Sequence, residues 1–204
     1  MKLATSQVLG LVTVARRGLD ILPTALVASR AAFECSARAA WLLFPTDPYD
    51  REARWLVHMS NEVEYLTKQA GEEQKMGIDP SATLNRRDEL ADFSNSVSGL
   101  LAKKGYQLYK QRPDMRRVLI EMGEERTYVF YSYLSQAIHG THFSTWLYRT
   151  DGIGTMKKKR DSITADMWEV PVSIGRFVFK GPGLFILERF GLETNILRDL
   201  VYPT

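Results

Sequence analysis

Apolar residues recur at intervals of three and four along most of the chain, which is the repeat of an amphipathic α-helix. The pattern predicts a first helix over about Ser6 to Leu19 and a second from Thr24, its N-cap, to Phe44. A third and a fourth helix follow, with predicted buried positions Trp55, Met59, Val63, Leu66, Ala70, Leu90, Phe93, Val97 and Leu101. The chain is therefore predicted to be almost entirely helical.

Aspartate followed by proline marks two helix starts, because aspartate caps the first turn and proline suits the first helical position. Asp47-Pro48 is predicted to begin the third helix and Asp79-Pro80 the fourth, with Gly105 at its C-terminal end. Shorter helices are predicted after Pro113 and from Glu124 to His139. The sequence lacks both strand–helix alternation and a glycine-rich phosphate loop, which argues against a nucleotide-binding sheet.

Helix-breaking residues divide the chain into three parts. Residues 1–149 are predicted to form the core of a helical bundle, and residues 150–164 a loop. Pro171, Gly175 and Gly181-Pro182-Gly183 interrupt the remainder, so residues 165–204 are predicted to be short helices packing on the same domain. The predicted fold is all-α, a single-domain bundle of about six or seven helices.

Composition narrows the class of protein. With 204 residues, 45% of them hydrophobic and 25% charged, the chain fits one globular domain. Its net charge of +3 permits an acidic partner without requiring one. The single cysteine, Cys35, excludes an internal disulfide and a thiolate zinc site. No stretch reaches the roughly 18 uncharged apolar residues of a membrane span, so we expect a cytoplasmic protein without membrane contact.

The second helix carries a narrow line of charge on an otherwise apolar surface. Arg30, Glu34 and Arg38 follow one another at intervals of four and therefore share one face. In one interpretation they form a solvent-exposed strip in which the glutamate pairs with both arginines. In the other, the line lies inside a cleft and binds an anionic ligand or a partner helix. A helix apolar nearly all round is expected to be surrounded by protein.

The helix from Glu124 to His139 repeats this pattern. Tyr128, Ser132, Ser135 and His139 share a narrow polar arc, whereas the broad apolar arc comprises Val129, Phe130, Tyr133, Leu134, Ala137 and Ile138. Ser135 and His139 are four residues apart, so the pair has the spacing of a nucleophile and its base. A mid-helix serine lacks the strained turn and oxyanion hole of a hydrolase, however. His139 is alternatively a helix-end histidine facing the negative end of the helix dipole.

The third helix places Arg51, His58, Glu62, Tyr65 and Gln69 along one edge. Arg51 and His58 are two turns apart and therefore stacked, and Glu62 lies one turn beyond His58, where it supports a charged imidazolium. The alternative is the polar boundary of a surface helix.

Two further sets of residues carry candidate binding chemistry. Lys157, Lys158, Lys159 and Arg160 lie in the predicted loop near Trp146 and Tyr148, a combination that holds a nucleic-acid backbone or is simply solvated. Three imidazoles, those of His58, His139 and His142, are enough for a metal centre, but Gly140 interrupts the helical spacing of the last two. The paired Glu-x-x-His motifs of di-iron bundles are absent. We expect no metal and no cofactor.

Two segments resemble a known family. Arg30-Ala-Ala-Phe-Glu34 and the run from Tyr131 to Gly140 are similar to uncharacterised bacterial helical proteins of HEPN-like type, including relatives of abortive-infection proteins. The resemblance covers roughly Arg30 to Tyr148. It implies a HEPN-like helical bundle, commonly dimeric, whose members include metal-independent ribonucleases of defence and toxin systems.

That family places an arginine, four to six residues and then a histidine at a dimer cleft, and the nearest match here is Arg51 to His58. The resemblance implies that His58 acts as general acid and base on an RNA 2′-hydroxyl while Arg51 stabilises the phosphate. It also implies an RNA or nucleotide ligand and a homodimer. The alternatives are a non-catalytic, oligomerising interaction or scaffold module, in which Arg30, Glu34, Arg38 and the Ser135/His139 pair form a structural network, and a small metal-dependent bundle enzyme.

Overall fold

A computed structural model describes residues 2–18, 21–106, 108–139 and 165–195. Within these ranges the chain forms helices and no strand, which confirms the all-α prediction. Seven helices are present in the described residues: α1 Lys2–Ala15, α2 Leu22–Leu43, α3 Pro48–Lys75, α4 Ser81–Lys103, α5 Met115–Glu121, α6 Tyr128–Ile138 and the continuous helical segment α7 Ala165–Arg189.

The chain divides into two compact units. Met1–Trp41 together with Met115–Thr204 forms the first unit, and Leu42–Asp114 forms the second. The predicted boundaries at residues 149 and 164 fall outside the described residues, as does the predicted loop between them.

The aspartate signal begins α3 as predicted, whereas α4 begins one residue later than predicted, with Pro80 and not Asp79 at the cap position. The Tyr49 backbone N–H donates to Asp47 Oδ1 at 2.7 Å, and the Ser81 N–H donates to Asp79 Oδ1 at 3.1 Å. Gly105 follows α4 with φ of +82°, a left-handed conformation that glycine adopts without strain. One predicted start is wrong: α2 begins at Leu22, with proline in its first turn, and Thr24 is not its cap.

In the first unit, α2 is enclosed by other residues. Every residue from Ala28 to Trp41 is buried or half-buried, and Phe33 and Trp41 have exposed fractions of 0% and 2%. The buried hydroxyls of Ser29 and Ser36 donate to the carbonyls of Ala25 and Phe33. Burial of α2 on nearly all sides agrees with its sequence pattern.

Short helical elements follow residue 165, and they join end to end. An α-helix, Glu169–Val178, leads into a π-helical turn, Phe179–Gly183, and on into Leu184–Arg189 without a break. The wider turn accommodates Pro182, which lacks the N–H that a regular α-helix would use at this position.

By length and composition α7 is the one helix in the described residues that meets the criteria for crossing a membrane, with a mean hydropathy of 1.3 over its most apolar window. Buried core helices meet the same criteria. Here Gly175 packs against Val8 and Leu11 of α1, and the opposite side of α7 exposes Glu169, Arg176 and other polar groups. Of the most apolar window of α7, 39% is buried, and Gly175 marks its contact with α1.

Several apolar residues predicted to be buried are exposed. In the second unit, Trp55 is 44% and Phe93 55% exposed, because the core of α3 and α4 lies on their other sides, at Ala53, Leu56 and Leu101. On α6 the buried residue is Leu134, whereas Val129, Phe130 and Ile138 are 63%, 42% and 40% exposed. The predicted apolar arc of α6 is therefore only partly its buried side.

Candidate functional site

Arg30 connects α2 to α6. Its Nη2 donates to the Tyr131 hydroxyl at 3.0 Å, and its guanidinium carbon lies 5.0 Å from the centroid of the same ring. Phe33 packs beside this pair, 6.3 Å from the Tyr131 ring and 5.2 Å from Phe177 of α7, centroid to centroid. The Arg30 Nε atom is buried without a hydrogen-bond acceptor. One aromatic ring thus holds a half-buried cation by a hydrogen bond and a cation–π contact.

The other two charged residues of α2 pair with each other. Arg38 Nη2 lies 3.2 Å from Glu34 Oε1, and the two side chains are 13% and 31% exposed. The line is therefore partly buried instead of forming a solvent-exposed strip, and Arg30 turns to Tyr131. Burial, followed by the nearby charge of Glu34, raises the pKa of the neighbouring Cys35 thiol. A raised pKa keeps Cys35 protonated and poorly nucleophilic.

Ser135 and His139 lie at the end of α6. The Ser135 hydroxyl donates to the Tyr131 carbonyl at 2.8 Å, and the His139 backbone N–H donates to the Ser135 carbonyl at 3.2 Å. The serine proton is directed at the helix backbone, which is the usual role of a mid-helix serine. His139 is exposed at the C-terminal cap. Tyr128 packs 5.8 Å from Tyr131, so the aromatic part of this face adjoins Arg30.

Arg51, His58 and Glu62 belong to the second unit, and each contacts a different neighbour. Arg51 Nη1 donates to the carbonyls of Pro45 and Thr46, at 3.2 and 2.9 Å, and thereby closes the turn before α3. The His58 ring lies 5.6 Å from that of Trp55. Glu62 pairs with Arg86 of α4 at 3.5 Å. The guanidinium that the family resemblance assigns to a phosphate thus binds backbone oxygens.

The predicted basic loop lies outside the described residues, and the described residues form no metal site. Lys157 to Arg160 and His142 lie outside the described residues. In the described part of the chain, no group of three or more His, Cys, Asp or Glu side chains is arranged to hold a metal ion.

Two contacts were not predicted from sequence. The Arg30–Tyr131 contact is one of them. Tyr131 lies three residues after Tyr128 and so shares its face of α6, which was the available signal. Trp41 Nε1 donates to Glu121 Oε2 at 2.7 Å, and Glu121 Oε1 accepts from Arg117 at 2.9 Å. The signal for this contact was available, because a buried indole N–H usually has an acceptor.

The chain was compared with family models, with curated proteins and with solved structures. None of the three comparisons returned a match. The HEPN-like resemblance, and with it the ribonuclease roles of Arg51 and His58, stays a prediction.

Proposed function

We propose that the chain is a non-catalytic helical interaction module, and that its docking surface lies on α4. The proposal is supported first by how the candidate catalytic groups are used. Arg51 and Ser135 donate to backbone carbonyls, and Arg38 pairs with Glu34. Groups engaged in this way stabilise helices and turns, and a substrate would have to displace those bonds.

The observation that carries the proposal is a continuous exposed strip along α4, which we call the α4 seam. Its six members are spaced alternately by three and four residues and are all exposed: Arg86, Glu89, Phe93, Ser96, Leu100 and Lys103. That spacing places them on one side of a helix. Phe93 and Leu100, which are 55% and 60% exposed, form the apolar middle of the seam. Val97 and Leu101 pack on a separate side of α4, against α3.

Trp55 extends the apolar surface onto α3. The Glu62–Arg86 ion pair connects the two helices on the seam side, and Trp55 shares a face of α3 with Glu62, two turns away. The hydrogen bonds Thr83–Glu73 and Lys104–Tyr49 show that the helices run antiparallel. They place Trp55 level with about Leu100 of the seam. Three large exposed apolar side chains grouped in this way are typical of protein contact surfaces.

The charge of this unit favours a protein partner over RNA. Binding to a nucleic-acid backbone needs a surplus of lysine and arginine. Acidic residues outnumber basic ones in Leu42–Asp114, and the seam itself contains Glu89 as well as Arg86 and Lys103. A mixed-charge strip around an apolar middle suits another helix.

Site-specific photo-crosslinking in living cells tests the proposal. A photo-reactive phenylalanine derivative is placed at Phe93, and a matched control carries it at Glu64, which is exposed on the opposite side of α3. We expect a discrete protein adduct, identified by mass spectrometry, from position 93 and not from position 64. No adduct at position 93, or equal labelling at both positions, would contradict a docking surface on the α4 seam.

A further inference from the structure

We infer that the partner of the α4 seam is the seam of a second copy of this chain, packed antiparallel about a two-fold axis near Ser96. This inference rests on the proposed function, because it names the partner of the same surface. A two-fold contact requires the surface to be complementary to itself. The order of residues along the seam satisfies that requirement.

Two of the three charges of the seam, those of Glu89 and Lys103, are arranged symmetrically around its middle. Glu89 precedes Ser96 by seven residues, and Lys103 follows it by seven. Rotating a second α4 about an axis through Ser96 brings each Glu89 opposite the Lys103 of the other copy. Glu89 and Lys103 of one chain are about 21 Å apart along the helix axis at 1.5 Å per residue, so they pair only between copies.

The apolar residues obey the same symmetry. Phe93 lies three residues before Ser96 and Leu100 four residues after it, so the rotation sets Phe93 of each copy against Leu100 of the other. Both are more than half exposed in the single chain, and the contact would bury them. A parallel arrangement would instead place Glu89 against Glu89 and Lys103 against Lys103, which like-charge repulsion disfavours.

Ser96 in the seam and Gly99 beside it are small residues, which allows two helices to approach closely. The Ser96 hydroxyl donates to the Asp92 carbonyl of its own helix at 2.8 Å, so it needs no partner across the axis. Gly99 has open space where a Cβ would stand. Close approach at the axis lets the longer Phe93 and Leu100 side chains interdigitate on either side of it.

A charge exchange measured by sedimentation equilibrium tests the inference with the full chain. The wild type is expected to sediment at twice 23.3 kDa at high concentration. Glu89→Lys or Lys103→Glu alone introduces two repulsive contacts per dimer and should raise the dissociation constant about tenfold. The double variant restores opposite charges and should return to within about twofold of the wild type. Glu64→Lys, off the seam, is the control and should leave the constant unchanged.

A cysteine placed on the axis gives an independent measurement. In a Cys35→Ser background, Ser96→Cys is expected to form a covalent dimer on mild oxidation, because a residue on the two-fold faces itself. Asn95→Cys, exposed but off the seam, should form no covalent dimer. A wild type that stays monomeric at about 100 µM, far above the dissociation constants of specific complexes, overturns the inference. So do single charge variants that dimerise like the wild type.

The two proposals fail in different ways. If position 93 crosslinks to another protein while the purified chain is monomeric, the second-copy inference falls and the interaction module stands. If position 93 gives no adduct, the interaction module falls as well.

Discussion

Arg30 of α2 and Tyr131 of α6 hold each other through two contacts, a hydrogen bond of 3.0 Å and a guanidinium-to-ring distance of 5.0 Å. The residues are 101 positions apart in sequence, so this pair ties together helices that no local signal connects. The Arg30 Nε is buried without an acceptor. The hydrogen bond from Nη2 to the Tyr131 hydroxyl therefore replaces part of the hydration that the guanidinium loses on burial.

Removing the Tyr131 hydroxyl should destabilise the protein. Tyr131→Phe keeps the ring and the cation–π contact but deletes the acceptor, so we expect the free energy of unfolding in urea to fall by about 1 kcal/mol. Arg30→Met keeps the apolar stem and should cost about 1–2 kcal/mol. In the double variant the two losses should overlap by about 0.5–1 kcal/mol, since both remove one interaction. Tyr128→Phe is the matched control, and strictly additive losses would refute the coupling.

Substituting the residues to which the family resemblance assigns ribonuclease activity tests that activity. If the chain is an interaction module, the wild type and the variants Arg51→Ala, His58→Ala, Ser135→Ala and His139→Ala should all leave single-stranded RNA uncut in the absence of metal. Arg51→Ala should lower stability by about 1 kcal/mol, because it releases the carbonyls of Pro45 and Thr46. RNA cleavage by the wild type that disappears in folded His58→Ala protein would restore the ribonuclease prediction.

Local sequence signals account for most of the helices. Asp47-Pro48 and Gly105 act within one or two turns and lie at helix ends where predicted, and Asp79-Pro80 lies directly before α4. Around Pro182 the short elements join because a π-helical turn absorbs a proline that would break a regular α-helix. Whether a helix tolerates such a turn depends on the packing along its whole length, which a local pattern does not report.

Assigning faces to the helices was harder than locating them. Phe93 and Leu101 differ by 80° on a helical wheel at about 100° per residue, so the pattern placed both in one core stripe, yet only Leu101 is buried. The Arg38–Glu34 pair was predictable because it spans a single turn. The Arg30–Tyr131 pair was not, because the relative position of α2 and α6 is set by tertiary packing.

Asp47 accepts two hydrogen bonds at the start of α3, from the Tyr49 N–H at 2.7 Å and from the Tyr106 hydroxyl at 3.0 Å. This arrangement, which we call the clasp, should make stability depend on pH. The backbone N–H of Tyr49, then the Tyr106 hydroxyl, lower the pKa of Asp47 below its usual 3.8. A lowered pKa stabilises the folded chain above the unfolded pKa, and this contribution is lost as pH falls through the folded value. At pH values below about 4 we expect the melting temperature to decrease. The decrease should be smaller in Asp47→Asn, because asparagine does not titrate.

The same clasp acts in the opposite direction at high pH. The hydrogen bond to Asp47 is the main cause that raises the pKa of Tyr106 above 10.0. The stabilisation is present below that pH and is lost as pH rises through the folded pKa, and Tyr106→Phe should remove this alkaline loss. Melting profiles of Asp47→Asn and Tyr106→Phe that match the wild type at both extremes would disprove the clasp. Asp79 and Glu64, whose pKa values are also lowered, keep some acid dependence in every variant.

Replacing Gly175 and Gly105 by alanine should change the free energy of unfolding in opposite directions. A Cβ on Gly175 would lie 3.5 Å from Leu11 Cδ2 and 3.7 Å from Val8 Cγ1, which are ordinary contact distances, within a regular stretch of α7. Gly175→Ala should therefore raise the free energy of unfolding by about 0.5–1 kcal/mol through helix propensity. Gly105→Ala meets open space but must adopt φ of +82°, and should lower it by about 1 kcal/mol. Urea denaturation decides between these signs. A destabilised Gly175→Ala would mean that α1 and α7 leave no room for a methyl group at their contact.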